Sequence, residues 1–276
     1  GSTATAGSSA CSPATCRCVR RPDVQLLIDA GNSRIKWAWC ERGHPGEVSA
    51  FDTAALDVAA LAHAWQAATT AHYTCVAGDV VDAAIRRALP PDCAAHRVFA
   101  RATACGIANL YEQPAQLGAD RWAALIGARA LQSGPLVVAT AGTATTIDAL
   151  DADDRFIGGY ILPGLRLMLE SLARHTADLP HAAGHAADWP RNTDDAIHNA
   201  CTDAQAALIE RVREQLGPQA TVLLSGGAAA AIGPRLRCAH RRVDDLVLHG
   251  LARLAAADNC PDVMKCVPEQ DAAREA

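Results

Sequence analysis

Two short stretches of this 276-residue chain place small residues between apolar runs, in patterns that can bind phosphate. They span residues 29–36 and 140–146. Each pattern predicts two strands joined by a tight turn, because glycine adopts backbone conformations that other residues avoid. Backbone N–H groups and the hydroxyls of Ser33, Thr143 and Thr145 could converge on phosphate oxygens in such turns. Asp29 could hold a hydrated magnesium ion beside them.

Either stretch alone could be an ordinary hairpin, since short glycine motifs recur by chance. Two copies about 110 residues apart, the spacing of a duplicated domain of common size, favour a nucleotide held from both sides.

Asp120 and Arg121 are a second candidate for chemistry. They sit at the expected start of a helix over residues 123–131, where free N–H groups and the helix dipole favour an anionic ligand. Arg121 could hold a carboxylate through two hydrogen bonds, and Asp120 could act as general base on a hydroxyl that attacks a phosphoryl group. On the residues alone, a helix-capping aspartate followed by a surface arginine is the simpler explanation.

The elements expected around these residues occur twice in the same order. From Val24, apolar patterning predicts a hairpin, a third strand, an alanine-rich helix over residues 54–68 and then alternating strands and helices. The second half repeats the hairpin, with strands over residues 136–141 and 144–150, and the third strand over residues 156–162. Antiparallel strands followed by helices and parallel strands are typical of α/β architecture. The sequence therefore predicts an α/β protein with two similar halves.

A long amphipathic helix is expected in the second half, over residues 194–215. Its apolar face comprises Ile197, Cys201, Ala204, Leu208 and Val212. Such a face either packs on the protein's own core or lies at a subunit interface.

Composition limits the class of protein. Half of the residues are apolar, so a substantial core is available. The 25 basic and 30 acidic side chains give a net charge of −5, which offers no reason to expect nucleic acid or an anionic membrane as the main partner. No run of 18 apolar residues is present, so we expect no membrane span. The 11 cysteines, an odd number scattered through apolar segments, indicate reduced thiols and a cytoplasmic protein.

The expected organisation has four parts. Residues 1–22 are rich in Ser, Thr and Ala without periodicity, and we expect a disordered leader or tag there. Residues 23–133 would form the N-terminal domain and residues 134–258 the C-terminal domain. Residues 259–276 would be a loose tail.

Four motifs occur in collinear order between Val24 and about Ala257. They are Asp29-x-Gly31-Asn32-Ser33-x-x-Lys36, Gly118-Ala119-Asp120-Arg121 within the stretch from Tyr111 to Trp122, Gly142-Thr143-Ala144-x-Thr146-x-Asp148, and Gly158-Gly159-Tyr160-Ile161-x-Pro163-Gly164. In combination they closely resemble type III pantothenate kinases, the family that includes Bvg accessory factor-like proteins of the actin-like ATPase superfamily.

The resemblance implies duplicated ribonuclease H-like domains with a central nucleotide cleft. The implied reaction is ATP-dependent phosphorylation of pantothenate to 4′-phosphopantothenate, the first step of coenzyme A biosynthesis. The implied cofactors are ATP with Mg²⁺ and an activating monovalent cation, K⁺ or NH₄⁺. The resemblance also implies a homodimer whose substrate pocket is completed at the subunit interface.

Site residues carry over by matching motif positions. The implied ATP site comprises Asp29, Ala30, Gly31, Asn32, Ser33, Arg34, Ile35, Lys36, Thr143, Gly226 and Gly227, with Asp29 near Mg²⁺. The implied pantothenate site comprises Tyr111, Gly118, Ala119, Asp120, Arg121 and Thr193, with Asp120 as the catalytic base. Thr193 equally suits the first turn of the long helix, and Gly226-Gly227 equally suits a plain strand-to-helix turn.

Thr140 departs from the pattern of the superfamily. Many actin-like kinases have an aspartate at this position, and some type III enzymes use it to bind the monovalent cation. A threonine hydroxyl carries no negative charge, so we expect weaker cation binding here.

Two other functions remain open on the sequence. A different actin-like kinase, for a sugar or polyphosphate, would keep both turns but need other groups than residues 118–121. A non-catalytic nucleotide-binding regulator of transcription would tolerate loss of Asp120. The absence of a basic patch or helix-turn-helix pattern argues against direct DNA binding.

Overall fold

The computed structural model describes residues 24–175 and 184–258. The expected leader (1–22) and tail (259–276) lie outside the described residues.

The first half builds a mixed sheet flanked by short helices. In chain order its elements are β1 (Gln25–Ala30), β2 (Arg34–Glu41), β3 (His44–Pro45), β4 (Ser49–Asp52), α1 (Val58–Trp65), β5 (Thr70–Cys75), α2 (Asp79–Ala88) and β6 (Ala94–Arg97). The strand order is β4-β2-β1-β5-β6, with β3 also paired to β2. The pairs of β1 with β2 and of β2 with β4 are antiparallel, whereas β5 pairs parallel with both β1 and β6.

Helix α1 is shorter than the alanine-rich pattern predicts. Residues 53–55 form a single 3₁₀ turn instead, and the helix starts only after Asp57. The Asp57 carboxylate accepts hydrogen bonds from the backbone N–H groups of Ala59 and Ala60, which fixes the start of the helix there.

A connecting segment follows, with β7 (Thr103–Ala104), β8 (Ile107–Asn109) and α3 (Ala119–Leu131). The two short strands precede the second half in sequence but join the edge of the second sheet. Helix α3 starts at Ala119 rather than at residue 123, with Gly118 as its N-cap. Asp120 and Arg121 therefore lie in its first turn.

The second half repeats the first. Its elements are β9 (Leu136–Ala141), β10 (Ala144–Leu150), β11 (Arg155–Pro163), α4 (Leu165–His175), α5 (Thr193–Leu216), β12 (Thr221–Ser225), α6 (Ala229–Ile232), β13 (His240–Arg242) and α7 (Leu246–Asp258). The order β11-β10-β9-β12-β13 matches that of the first sheet, again with two antiparallel pairs followed by two parallel ones. The predicted duplicated α/β fold is confirmed.

Helices α3 and α7 lie between the two sheets and join them into one core. Trp122 of α3 and Leu251 of α7 are fully buried in a cluster that includes Leu27 of the first sheet and Val138 of the second. The helices cross closely at glycines: a Cβ on Gly127 would collide with the backbone of Leu246. A Cβ on Gly250 would likewise collide with the backbone of Ala123.

The apolar face predicted for α5 is partly wrong. Ile197, Cys201 and Val212 are buried, but Ala204 is exposed and Leu208 is only partly buried. The buried stripe instead includes Gln205, whose side-chain oxygen accepts a 2.6 Å hydrogen bond from Thr145 of β10. The buried side of α5 thus packs on its own sheet, which favours the core-facing alternative.

The six cysteines in the described part carry free thiols: Cys40, Cys75, Cys93, Cys105, Cys201 and Cys238. Among the helices of residues 24–175 and 184–258, none has the length and apolar character needed to cross a bilayer.

Candidate active site

The two turns, which the sequence predicts to line a nucleotide cleft, contact each other between the halves. Ser33 lies in the turn between β1 and β2, Thr143 lies in the turn between β9 and β10, and their hydroxyl oxygens are 2.6 Å apart. Each turn is closed by a 3.0 Å backbone hydrogen bond, from Gly31 N–H to the carbonyl of Arg34 and from Gly142 N–H to the carbonyl of Ala144. The turns thus face each other as the sequence predicts, but the prediction for Thr145 is wrong, because its hydroxyl points inward to Gln205.

Neighbouring loops hold both turns in place. The Thr53 hydroxyl donates to the carbonyl of Gly31 at 2.9 Å. On the other side, Gly164 N–H donates to the carbonyl of Thr143 at 3.0 Å.

The Gly226-Gly227 turn lies directly against the end of β9. Gly226 has a positive φ of 94°, and a Cβ there would collide with the backbone of Ala141. Ala228 N–H also donates to the carbonyl of Ala141 at 3.1 Å. The geometry of this turn therefore requires glycine at position 226, independently of any ligand.

Asp29 is the penultimate residue of β1, just before the first turn, and is partly buried. Its register partners are Lys36 on β2 and Thr74 on β5, and the Thr74 hydroxyl donates to Asp29 Oδ1 at 3.1 Å. Lys36 Nζ is engaged by Asp245, which precedes α7, at 2.6 Å. Burial raises the pKa of Asp29 to about 7, and the negative charge of Asp120 adds to the rise.

The surroundings of Asp29 fit a bound magnesium ion. Mg²⁺ prefers oxygen ligands, and a carboxylate whose ionisation is opposed by burial and by neighbouring carboxylates gains most from a cation beside it. Asp29 would be the residue that holds it.

Asp120 projects from the first turn of α3 and is partly buried. Its Oδ1 accepts the backbone N–H of Arg121 at 2.8 Å. A Cβ on Gly118 would lie 2.6 Å from the same oxygen, so the glycine makes room for the carboxylate. The negative charge of Asp120 adds to the effect of burial in raising the pKa of Asp29, and it also contributes to the raised pKa of Asp148, the partner of Arg121.

Arg121 is only 6% exposed and binds a carboxylate of its own chain. Its Nε donates to Asp148 Oδ2 at 3.1 Å, and its Nη2 donates to Oδ1 of the same residue. Its Nη1 donates to the Tyr111 hydroxyl at 2.9 Å. Arg121 thus makes with Asp148 the two-bond contact that the sequence predicts with a substrate carboxylate. One N–H on Nη1 and one on Nη2 remain for a further acceptor.

Burial raises the pKa of Asp148 to about 6, with the hydrogen bonds and charge of Arg121 opposing the rise and the charge of Asp120 adding to it. Sequence reasoning missed this residue's contact with Arg121. The available signal was a single carboxylate within the apolar strand β10, since a buried charge requires a partner.

Tyr111 is positioned by the segment between β8 and α3. Asn109, 5% exposed, accepts the backbone N–H of Tyr111 at 3.1 Å and donates to the carbonyl of Pro114 at 3.1 Å. The Tyr111 ring also packs on Phe156, with ring centres 5.1 Å apart.

Comparison with known proteins identifies the family. The family model for type III pantothenate kinase matches residues 25–215. The chain belongs to the type III pantothenate kinase family. The type III pantothenate kinase of Aromatoleum aromaticum is 48% identical over 242 residues, which cover 84% of this chain and 98% of the relative.

Solved structures support the fold of this family member. A Campylobacter jejuni protein assigned to the Baf family of transcriptional activators aligns with a TM-score of 0.57 at 18% identity, over 86% of this chain and 99% of that one. A Sinorhizobium meliloti protein assigned as a 2-dehydro-3-deoxygalactonokinase aligns with a TM-score of 0.52 at 15% identity, over the same shares. At these identities the likeness shows the fold alone.

In this member of the type III pantothenate kinase family, Thr193 lies at the start of α5 and Thr140 lies within β9. Thr193 is the exposed first residue of α5, while Asn192 caps the helix by accepting the Asp195 N–H at 2.8 Å. Thr140 lies on β9 in register with Thr146 and Ser225. Its strand neighbours on both sides therefore carry hydroxyls, not carboxylates.

Proposed function

We propose that the chain transfers the terminal phosphoryl group of ATP to the primary hydroxyl of pantothenate, producing 4′-phosphopantothenate for coenzyme A biosynthesis. One observation carries this proposal in a member of the family. The two turns predicted to bind phosphate lie with the hydroxyl oxygens of Ser33 and Thr143 2.6 Å apart, and the charge of Asp120 acts on Asp29 just before the first turn.

The two turns would bind the triphosphate. Residues 29–36 and Thr143 offer backbone N–H groups and hydroxyls, and the Gly226-Gly227 turn would lie beside the adenosine. A magnesium ion held by Asp29 would offset the phosphate charge. The Lys36 ammonium would add positive charge once it exchanges Asp245 for a phosphate oxygen.

Asp120 would orient the substrate hydroxyl and accept its proton. Phosphoryl transfer requires mainly alignment of the attacking oxygen and neutralisation of charge, so a carboxylate near the phosphate turns is well placed for both. Its Oδ1 is held by the N–H of Arg121, which leaves Oδ2 to face the hydroxyl.

Arg121 and Tyr111 would bind polar groups of pantothenate as a pre-formed unit. Asp148 holds the guanidinium plane fixed, so the remaining Nη N–H groups point in set directions. Gly118 and Ala119 would allow close approach of the substrate, and Thr193 would contact it from α5. K⁺ or NH₄⁺ would bind weakly near Thr140, where the strand neighbours supply only hydroxyls.

A homodimer is part of this proposal. Strand β11 exposes Ile157 and Ile161 beyond the part that pairs with β8, and these two side chains are 50% and 64% exposed. Within the described residues, β8 pairs only with Arg155 and Phe156 of that strand. A second copy would cover this apolar edge. We also propose a cytoplasmic location, where ATP and the substrate are available.

An acceptor panel tests the activity. ADP release would be followed with pantothenate, glucose or short-chain polyphosphate as acceptor, with Mg²⁺ present throughout and with either K⁺ or Na⁺. We expect turnover with pantothenate only, and little stimulation by K⁺ because of Thr140. Activity with another acceptor would favour a different kinase, and nucleotide binding without transfer would favour a regulatory protein.

A further inference from the structure

A buried histidine in the first sheet forms a three-residue cluster that the proposed reaction does not use. His72 on β5 is 2% exposed, and its Nε2 lies 3.2 Å from Asp258 Oδ2, at the end of α7. His96 on β6 stacks on His72, with ring centres 4.7 Å apart and planes at 14°. The ligand atoms of the three side chains all lie within 4.8 Å of one another.

The fold fixes this arrangement. His72 and His96 are register partners on neighbouring parallel strands, so their side chains leave the same face of the sheet. Asp258 approaches from α7, which packs on that face. Three different elements thus bring two imidazoles and a carboxylate together.

We propose that His72, His96 and Asp258 bind a divalent transition metal ion of the Zn²⁺ class. Ligand atoms around a tetrahedral zinc ion are about 3.3 Å apart, since Zn–N and Zn–O bonds are about 2.0 Å. The pair of His72 and Asp258 already has this spacing. His96 and Asp258 are exposed, so rotation of their side chains closes the remaining distances, and water takes the fourth position.

The ligand chemistry separates this site from the magnesium site at Asp29. Imidazole nitrogens favour Zn²⁺ and related ions, whereas Mg²⁺ prefers oxygen ligands. A metal ion here would connect β5 and β6 to the end of α7. The opposite end of α7 follows Asp245, which holds Lys36 at the cleft.

Zinc titration of the 276-residue chain, produced without an added histidine tag, tests the proposal. Calorimetry with ZnCl₂ would be run on the wild type, H96A and D258N, with H63A as the control because His63 is exposed on α1. We expect one Zn²⁺ per wild-type chain and a higher melting temperature with Zn²⁺. H96A and D258N should each weaken binding by roughly tenfold or more, at least as much as loss of a second-shell partner does, while H63A should bind like the wild type.

Binding of Zn²⁺ to cysteines instead would overturn the proposal, and the same titrations distinguish it from binding at His72, His96 and Asp258. In that case all four proteins would take up Zn²⁺ with equal affinity, and Co²⁺ in place of Zn²⁺ would show sulfur-to-metal charge-transfer absorption. Absence of any binding to the wild type at micromolar Zn²⁺ would overturn it as well. None of these measurements depends on kinase activity, so the outcome is independent of the proposed function.

Discussion

The proposed role of Asp120 as general base depends on one carboxylate in the first turn of α3, whose charge acts on Asp29. D120N keeps the size of the side chain and the oxygen that accepts the Arg121 N–H, but it cannot take up a proton. Turnover should therefore fall by about two to four orders of magnitude, while the affinity for Mg·ATP changes little. Steady-state kinetics and nucleotide titration would measure the two effects. D92N is the control, because Asp92 is exposed and lies outside the predicted site. A turnover number of D120N within a few-fold of wild type would exclude Asp120 as the base.

The pKa of Asp29 predicts a pH-dependent stability in the absence of Mg²⁺. Below its ordinary value of 3.8 the carboxyl is protonated in both the folded and the unfolded chain. Between pH 3.8 and about 7 the Asp29 carboxyl is ionised in the unfolded chain but still protonated in the folded chain, so the free energy of unfolding falls as pH rises. Above about pH 7 this loss of stability is complete. D29N removes this loss.

The melting temperature of D29N in EDTA should therefore match the wild type near pH 4 and exceed it increasingly up to about pH 7, then stay constant. Adding Mg²⁺ with nucleotide should stabilise the wild type at pH 8 and have much less effect on D29N. A constant difference at every pH would contradict the assigned ionisation.

The ion pair of Arg121 and Asp148 should contribute strongly to folding, because both side chains are buried. D148N leaves the guanidinium without its counter-charge and should lower the free energy of unfolding by about 3 kcal/mol. Urea unfolding would measure it. D153N disrupts the exposed pair of Asp153 and Arg155 and should change stability little; equal effects of the two substitutions would contradict the assigned burial.

At the scale of elements, local turn chemistry predicted the hairpins well, and contacts distant in sequence explain the errors. β9 and β10 have the predicted bounds because glycine and alternating apolar residues define them. β7 and β13 are too short for a sequence signal and exist through pairing with neighbouring strands. The early start of α3 depends on Gly118, which the apolar pattern did not reveal.

In the candidate site, too, features set by neighbouring residues were predicted and contacts between residues distant in sequence were missed. The facing turns and the position of Asp120 were predictable because their residues lie close in sequence to a turn or a helix start. The contact of Arg121 with Asp148 was not, since the residues are 27 positions apart and meet only in the folded core. Thr145 was assigned to phosphate, although the alternation of side chains along β10 puts it on the same face as buried Ile147.

The crossing of α3 and α7 makes a prediction at the same scale. G127A and G250A each place a methyl group against the backbone of the other helix, so each should destabilise the fold by about 1–3 kcal/mol. G227A is the control for unfolding measurements, because a Cβ there meets nothing within 4 Å. If G127A were as stable as G227A, the close approach of the two helices would be wrong.

At the scale of the whole molecule, the two halves contact each other at the predicted nucleotide site. Ser33 meets Thr143 across the turns, and Lys36 meets Asp245 beside α7. Since α3 and α7 pack against both sheets, a ligand between the turns would act on both halves together. The part of β11 beyond its pairing with β8 differs from these contacts, because no element of the described chain covers its apolar side chains Ile157 and Ile161.

The exposed apolar part of β11 offers a test of the homodimer that the family resemblance implies. I161D places a charge in the apolar surface that a second copy would bury, and a charge without a partner in an interface is costly. The variant should elute as a monomer in size-exclusion chromatography with light scattering, whereas the wild type should be a dimer. V80D is the matched control, since Val80 is 82% exposed in the first turn of α2, away from β11. If pantothenate binds in a pocket completed by the second subunit, I161D should also raise the KM for pantothenate more than the KM for ATP. A dimer that survives I161D would place the subunit contact on another surface.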